Sequence, residues 1–292
     1  LFRSKIDITM DKEVIAVVTG ASRGAGKGIA IALGESGATV YVTGRSANTS
    51  NEFGGSVFET AQAVTNAGGK GIAAIVDHAD DKQVEALFER VRQEQGRLDI
   101  LVNNAANASA GLMSRAPFWE KPLDTVDLIT VGLRSHYVSG YYATPLLIAN
   151  GKGLMVNTGY YGAVSYHLSP VYGAQKAGSD KMAADMAKEL RPYNVAAVSI
   201  WMGSLDTERS RSYRSKWPES VAQVKKLESP QFTGRVISAL YNSQDMMALS
   251  GQALIGAELG FKLGIKDVDG SWPVSYRNTL GAPPELHPSL KE

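Results

Sequence analysis

The junction that follows the first apolar run limits this chain more than any other feature. Val14 to Val18 lead into Thr19-Gly20-Ala21-Ser22-Arg23-Gly24-Ala25-Gly26, and helical spacing of apolar residues begins directly after. A strand, a glycine-rich turn and a helix in that order present free helix N–H groups and a positive dipole end at the carboxyl edge of a sheet. Gly20 allows the sharp turn, Gly24 lets the main chain approach a pyrophosphate, and Gly26 permits close packing of helix on strand. Ser22, Arg23 and Ala25 complete the anion-facing turn. The placement, rather than the number of glycines, marks a nucleotide site.

The alternation continues down the chain. Short β-branched runs near 14–18, 39–43, 71–76, 99–103, 153–157, 195–200 and 251–255 predict strands. Segments at 25–36, 56–68, 80–95, 122–149, 171–190 and 230–242 carry helical spacing. Ser56 and Glu59 have the spacing of a capping box, and Gly68-Gly69 closes that helix. Right-handed crossovers then force an α/β fold: a single-domain, doubly wound Rossmann arrangement of about seven parallel strands with helices on both faces. The domain is expected over 10–260. The stretch 261–292, with Pro273, Pro283, Pro284 and Pro288, is expected to run extended over the surface. Ser46 to Gly55 reads as a surface loop. The charge-dense stretch 205–229 follows a strand end and is expected to form a lid over a substrate, a solvated connection being the plainer alternative.

Composition removes several classes of function. The 292 residues carry 30 Lys plus Arg against 29 Asp plus Glu, a formal charge of +1, so no strong field exists to hold nucleic acid or a charged membrane. The absence of cysteine excludes disulfides, thiolate zinc sites and a cysteine nucleophile. His78, His136, His167 and His287 are scattered without ligand spacing, so no metal site is expected. No apolar run is long enough to span a bilayer and no secretory signal pattern occurs, so the chain reads as soluble and cytoplasmic. Leu1 is not an initiator methionine, and Met10 reads as a native start.

Dinucleotide sites choose between cofactors at the end of the second strand, where an acid accepts bonds from the adenosine ribose. This chain reads Tyr41-Val42-Thr43-Gly44-Arg45 there, with no carboxylate. Arg45 can form a fork to a 2′-phosphate and Arg23 can flank it, which favours NADP(H) over NAD(H). Of twelve tyrosines, only Tyr172 has a lysine four residues later, at Lys176, at the start of the helix after the fifth strand. That spacing stacks both side chains on one helical face. A free phenol has a pKa near 10; a neighbouring ammonium is expected to stabilise the phenolate and bring Tyr172 toward the working range of an acid/base. Lys176 is also placed to hold the nicotinamide ribose.

These residues resemble the short-chain dehydrogenase/reductase family over about residues 12 to 258. The marks are Thr19-Gly20 through Gly26, Asn103-Asn104-Ala105-Ala106, Tyr172 with Lys176, and Gly203 to Thr207. Val131-Gly132-Leu133-Arg134 and Gly264 to Gly270 resemble one subgroup of that family. The resemblance implies that Asn104 and Ala105 lie along the cofactor, that Asp77 and His78 border the adenine, and that Thr207 meets the nicotinamide carboxamide. It also implies a homodimer or homotetramer built from the helices at 122–149 and 171–190, although Ala174, Ala177, Ala183 and Ala184 equally suit packing on the protein's own sheet. From the residues alone, Asn103 and Asn104 suit a strand-end turn and Asp77 a helix cap.

The sequence departs from the family at two places. The serine usually found thirteen residues before the tyrosine is Gly159, and the usual asparagine of the central helix is Gly132. Losing one donor to a developing oxyanion costs roughly 10²- to 10³-fold in rate. Thr158, Tyr160, Tyr161, Ser165 or water are candidate replacements, and glycine is alternatively room for a bulky ligand. The expected activity is hydride transfer between NADP(H) and a carbonyl or secondary alcohol, as in a carbonyl reductase. The alternative is a nucleotide-binding sensor or scaffold with attenuated turnover. Tyr160, Tyr161, Tyr166, Trp201 and Met202 suit an apolar small-molecule substrate, or equally a core or interface.

Overall fold

Strands buried on both faces are written as unbroken apolar runs, and β1 (Ile15–Val18), β5 (Gly153–Gly159) and β6 (Val195–Trp201) are buried along their whole length. The structure, a computed structural model, describes residues 13–48, 53–216 and 226–290. With β2 (Thr39–Gly44), β3 (Lys70–Ile75), β4 (Ile100–Asn103) and β7 (Ala253–Ile255), these strands form one seven-stranded sheet in the order β3-β2-β1-β4-β5-β6-β7. Every pairing is parallel. The doubly wound α/β fold read from the sequence is therefore the fold observed. The order reverses at β1, and the carboxyl ends of β1 and β4 open onto a crevice there.

Helices α1 (Gly24–Glu35), α2 (Val57–Asn66), α3 (Asp81–Gln95), α4 (Ser135–Ala149), α5 (Pro170–Leu190), α6 (Glu208–Lys216), α7 (Pro230–Asn242) and α8 (Gly256–Leu263) pack around it. Their ends follow local chemistry. Ser56 and Glu59 form the predicted capping box, Asp80 accepts from the Lys82 N–H, and Ser169 and Ser229 cap helices that open on proline. One core lies under α1, α2 and α7, where Ile29, Leu33, Val236 and Ile237 meet Val40, Val102 and Val156. The opposite core packs Phe88, Leu147 and Ala187 against Val17, Tyr41 and Leu101. Between α1 and α7 the backbones almost touch: a Cβ on Gly28 would stand 2.2 Å from the Pro230 carbonyl carbon.

Two segments differ from the sequence reading, and a third gains detail. The helix expected over 122–149 is continuous only from Ser135. Before it come single turns at Leu123–Val126 and Asp127–Ile129 and a widened turn at Thr130–Arg134, where Gly132 takes φ +147° and the helical path breaks. The charged stretch 205–229, read as a lid or a solvated connection, contains α6, and Leu205 bridges Glu228. Its residues 217–225 lie outside those described. The tail is more than a surface strap, because Tyr276 is buried and its N–H donates to the Tyr161 hydroxyl at 2.9 Å.

Candidate active site

A cleft of about 470 Å³ runs along the carboxyl ends of the strands. Gly20, Ser22, Arg23, Gly24, Ala25 and Gly26 line one side of it, with Arg45, Asp77 and His78 at one end and Asn104, Ala105, Tyr172 and Thr207 along the rest. Of the site residues read from the sequence, only Lys176 is off the lining; it is buried beneath. The glycine turn is fixed by contact and by conformation. Gly20 and Gly24 take φ of +63° and +57°. A Cβ on Gly20 would stand 2.6 Å from the Ala105 Cα, and one on Gly26 would stand 2.5 Å from the Asn104 Nδ2. The Asn104 amide donates to the Thr19 and Gly20 carbonyls at 2.9 and 3.1 Å, so it pins the turn from behind. Thr19 Oγ1 accepts the N–H groups of Asn104 and Ala105.

The start of α1 has no cap of its own. Arg23 stands at the N-cap but its side chain makes no capping bond, and the first turn holds no acid. A distant carboxylate partly meets that need: Glu208, the first residue of α6, accepts the Gly24 N–H at 3.1 Å. Thr207 lies beside it, its methyl 3.8 Å from where a Gly24 Cβ would be. The turn, its dipole and its close main-chain approach fit a pyrophosphate, with Glu208 as the anion already resting there.

At the other end, Arg23 Nη2 donates to Ser46 Oγ at 2.6 Å. Burial lowers the pKa of Arg23, and the Arg45 charge lowers it further against the opposing pull of Glu208. Arg45 is 59% exposed and only loosely paired, 3.9 Å from Asp77 Oδ2. Two guanidiniums, one hydroxyl and the Asp77 carboxylate stand at this end, and β2 itself carries no acid. His78 takes no part as a cation. Its Nε2 lies 2.7 Å from Thr43 Oγ1, and burial pushes its pKa down to about 4. Asp77 Oδ1 accepts the Ala79 N–H.

Tyr172 is set by the cap of α5, where Ser169 Oγ accepts its N–H at 3.3 Å. The preceding Leu168 has φ +61°, a conformation uncommon outside glycine. Lys121 holds this loop, donating to the Leu168 and Leu112 carbonyls at 2.7 and 3.0 Å. The Tyr172 ring lies 5.4 Å from His167 and 6.3 Å from Tyr160, which are themselves 4.9 Å apart. Lys176 Nζ donates to the Thr158 carbonyl at 2.8 Å and lies 5.7 Å from the Tyr172 ring centre. The expected lowering of the phenol pKa is not found. Burial, helped by the Tyr160 phenol, pushes Tyr172 above its ordinary range, and burial brings Lys176 down to about 8. Desolvation outweighs the stacking of the pair, because the ammonium is directed at a carbonyl.

The space at Gly159 is filled from within. A Cβ there would stand 2.4 Å from Trp201 Cδ1 and 2.6 Å from Ser199 Oγ. Gly159 therefore makes room for neither a bulky ligand nor a water, but for the Trp201 indole. Thr158 Oγ1 is engaged with the Asn103 carbonyl, Ser165 Oγ with the Tyr161 carbonyl, and the Tyr161 hydroxyl with Tyr276. Tyr160 alone of the candidate replacements stays beside Tyr172. Of the other aromatics considered for the pocket, Tyr161 and Trp201 are core and Tyr166 is 81% exposed; Met202 lines the cleft. At the second departure, the Gly132 carbonyl accepts from Gln175 Nε2 at 2.6 Å. Sequence reasoning passed over His167, Lys121, Asp180 and Glu208. Only Asp180, four residues after Lys176, carried a local signal.

Residues 14–217 match the family model described as short chain dehydrogenase. The chain is 38% identical over 282 residues to Dehydrogenase/reductase SDR family member 1 of Mus musculus, covering 92% of this chain and 88% of that protein. It is 39% identical over 270 residues to the protein of the same name in Homo sapiens, covering 88% and 83%. Among solved structures, a short chain dehydrogenase from Mycobacterium thermoresistibile superposes with a TM-score of 0.72 at 21% identity, over 87% of this chain and 89% of that one.

Proposed function

The chain belongs to the short-chain dehydrogenase family, and from that premise we propose that it is an NADP(H)-dependent carbonyl reductase in which Tyr172 is the acid/base and Lys176 orients cofactor and proton. The observation that carries this reading is that Tyr172 and the glycine turn line one cleft. Gly20, Ser22, Arg23, Gly24, Ala25 and Gly26 would hold the pyrophosphate, Arg45 and Arg23 the 2′-phosphate, Asp77 and the backbone at His78 the adenine. Asn104 and Ala105 would form the wall, and Thr207 would meet the carboxamide. Bound there, a nicotinamide supplies or accepts the hydride.

The remaining chemistry belongs to the protein. The Tyr172 phenol is protonated at neutral pH and so has a proton to give to a carbonyl oxygen as negative charge develops there, although burial makes it a weaker acid than a free phenol. Oxidation of an alcohol asks the same group to start as phenolate, which burial opposes. Tyr160 and His167 are placed to crowd or orient the substrate beside Tyr172, and with Met202 they suit an apolar carbonyl compound. The described part of the stretch 205–229 would act as the lid, the helices at 122–149 and 171–190 as the faces of a homodimer or homotetramer, and 261–292 as an extension of the 10–260 domain. Among the described residues no helix is long and apolar enough to cross a membrane.

The closed position at Gly159 favours a second reading, a nucleotide-binding sensor with attenuated turnover. NADPH oxidation across a panel of ketones and aldehydes separates the two. Tyr172→Phe should lower kcat by roughly 10²- to 10⁴-fold while leaving NADPH binding intact. Tight NADPH binding without any Tyr172-dependent turnover is the result expected of a sensor.

A further inference from the structure

Tyr172, Lys176 and Asp180 recur every four residues along α5, so the three side chains stack on one face of the helix. Asp180 is buried at 8% exposure. Its Oδ2 accepts the Trp201 indole N–H at 2.9 Å, and the Ser199 hydroxyl also acts on the carboxylate from β6. Trp201 is fully buried on β6, opposite Gly159 in the sheet register. Any side chain on residue 159 would collide with the indole. Glycine there is the condition for Trp201 to lie flat and reach across to Asp180.

Resting on the reading of Lys176 given above, we propose that Asp180, clamped by the Trp201 indole, is a positioning residue that keeps the Lys176 ammonium charged and in place beneath the cleft. The groups facing the pair are few. On α5 they are Tyr172 and the two partners themselves. From β6 come Ser199 and Trp201, neither charged. From α4 comes His136, whose Nε2 lies 3.2 Å from the Ala105 carbonyl and whose pKa burial pushes down to about 3, leaving it neutral. The acid acting on Lys176 is Asp180. Burial drives the lysine toward its neutral form and Asp180 opposes this; burial likewise raises Asp180 to about 6, against the Ser199 hydroxyl, the Trp201 bond and the lysine charge. Both groups are charged between about 6 and about 8. Below that window the aspartate loses its charge, and above it the lysine does.

The test reads the lysine directly. Titration of the Lys176 ε-carbon by NMR in ¹³C-lysine-labelled, cofactor-free protein, assigned with Lys176→Arg, needs no turnover. In Asp180→Asn the Lys176 midpoint should fall by about one pH unit, and in Trp201→Phe by less. Adding Trp201→Phe to Asp180→Asn should give no further fall, and Asp180→Glu should restore most of the midpoint. The alkaline limb of kcat in NADPH-dependent reduction should move down in parallel. A midpoint unchanged or raised in a folded Asp180→Asn variant overturns the proposal. Should that variant not fold, an unchanged midpoint in Trp201→Phe does the same. A fallen midpoint in a protein that reduces no carbonyl supports the coupling of Asp180 to Lys176 and removes the assigned function instead.

Discussion

At the α1 end of the cleft the ligand-facing groups are main chain, pinned from behind by Asn104 and Thr19, and glycine is required because Ala105 and Asn104 leave no room for a Cβ. At the α5 end the ligand-facing group is a side chain, the Tyr172 phenol, with two rings beside it and a lysine buried beneath, each set by what buries it. Gly159 belongs to the second end, yet it obeys the rule of the first, being small because something else occupies its place. The comparison teaches that a main-chain cradle is fixed by the local order of residues. A side-chain site can lose a usual member when a neighbour from another strand fills the space.

The sharpest cut through this comparison is at the exposed rim of the α1 end. Arg45→Asp should weaken NADPH binding about ten- to a hundredfold, the range of a lost charge-assisted bond of ~1.5–3 kcal/mol, while NADH binding holds or tightens. Equal change for both cofactors, read by fluorescence titration, would remove Arg45 from the 2′-phosphate. Next, Gly159→Ser should destabilise the fold by ~1–3 kcal/mol through collision with Trp201, lowering Tm by several degrees without raising kcat. Unchanged Tm with faster turnover would mean the indole yields and the usual serine chemistry returns. The smallest effect is expected at Glu208. Replacing it with glutamine removes an anion from the Gly24 N–H and should tighten NADP(H) binding about two- to fivefold, from ~0.3–1 kcal/mol, more so at low salt. Weaker binding would make Glu208 a support of the turn and not a competitor.

The legible parts of this molecule are those written locally. The glycine turn, the Ser56–Glu59 cap and the Tyr172–Lys176 spacing each lie within a few residues, and the strands announce themselves by unbroken apolar runs. What escaped the sequence depends on distance across the fold. The fate of residue 159 is decided by its partner in β6, the break at Gly132 by a Gln175 side chain on α5, and the start of α1 by a carboxylate from α6. The phenol pKa moved opposite to expectation for the same reason, since proximity along a helix is readable from spacing and desolvation is not.

The close seat of Gly28 against Pro230 ties the first helix of the cradle to an element some two hundred residues later in the chain. Ser36 and Ser238 bond across the same contact, and Tyr241 reaches back to Asp99 at the foot of β4. On the ribosome, at about 5–20 residues per second, α1 therefore emerges many seconds before α7 exists to cover it. Throughout that interval the edge of α1 that carries Gly28 and Ser36 lacks its partner, and the nucleotide cradle gains its full backing only once α7 has been made.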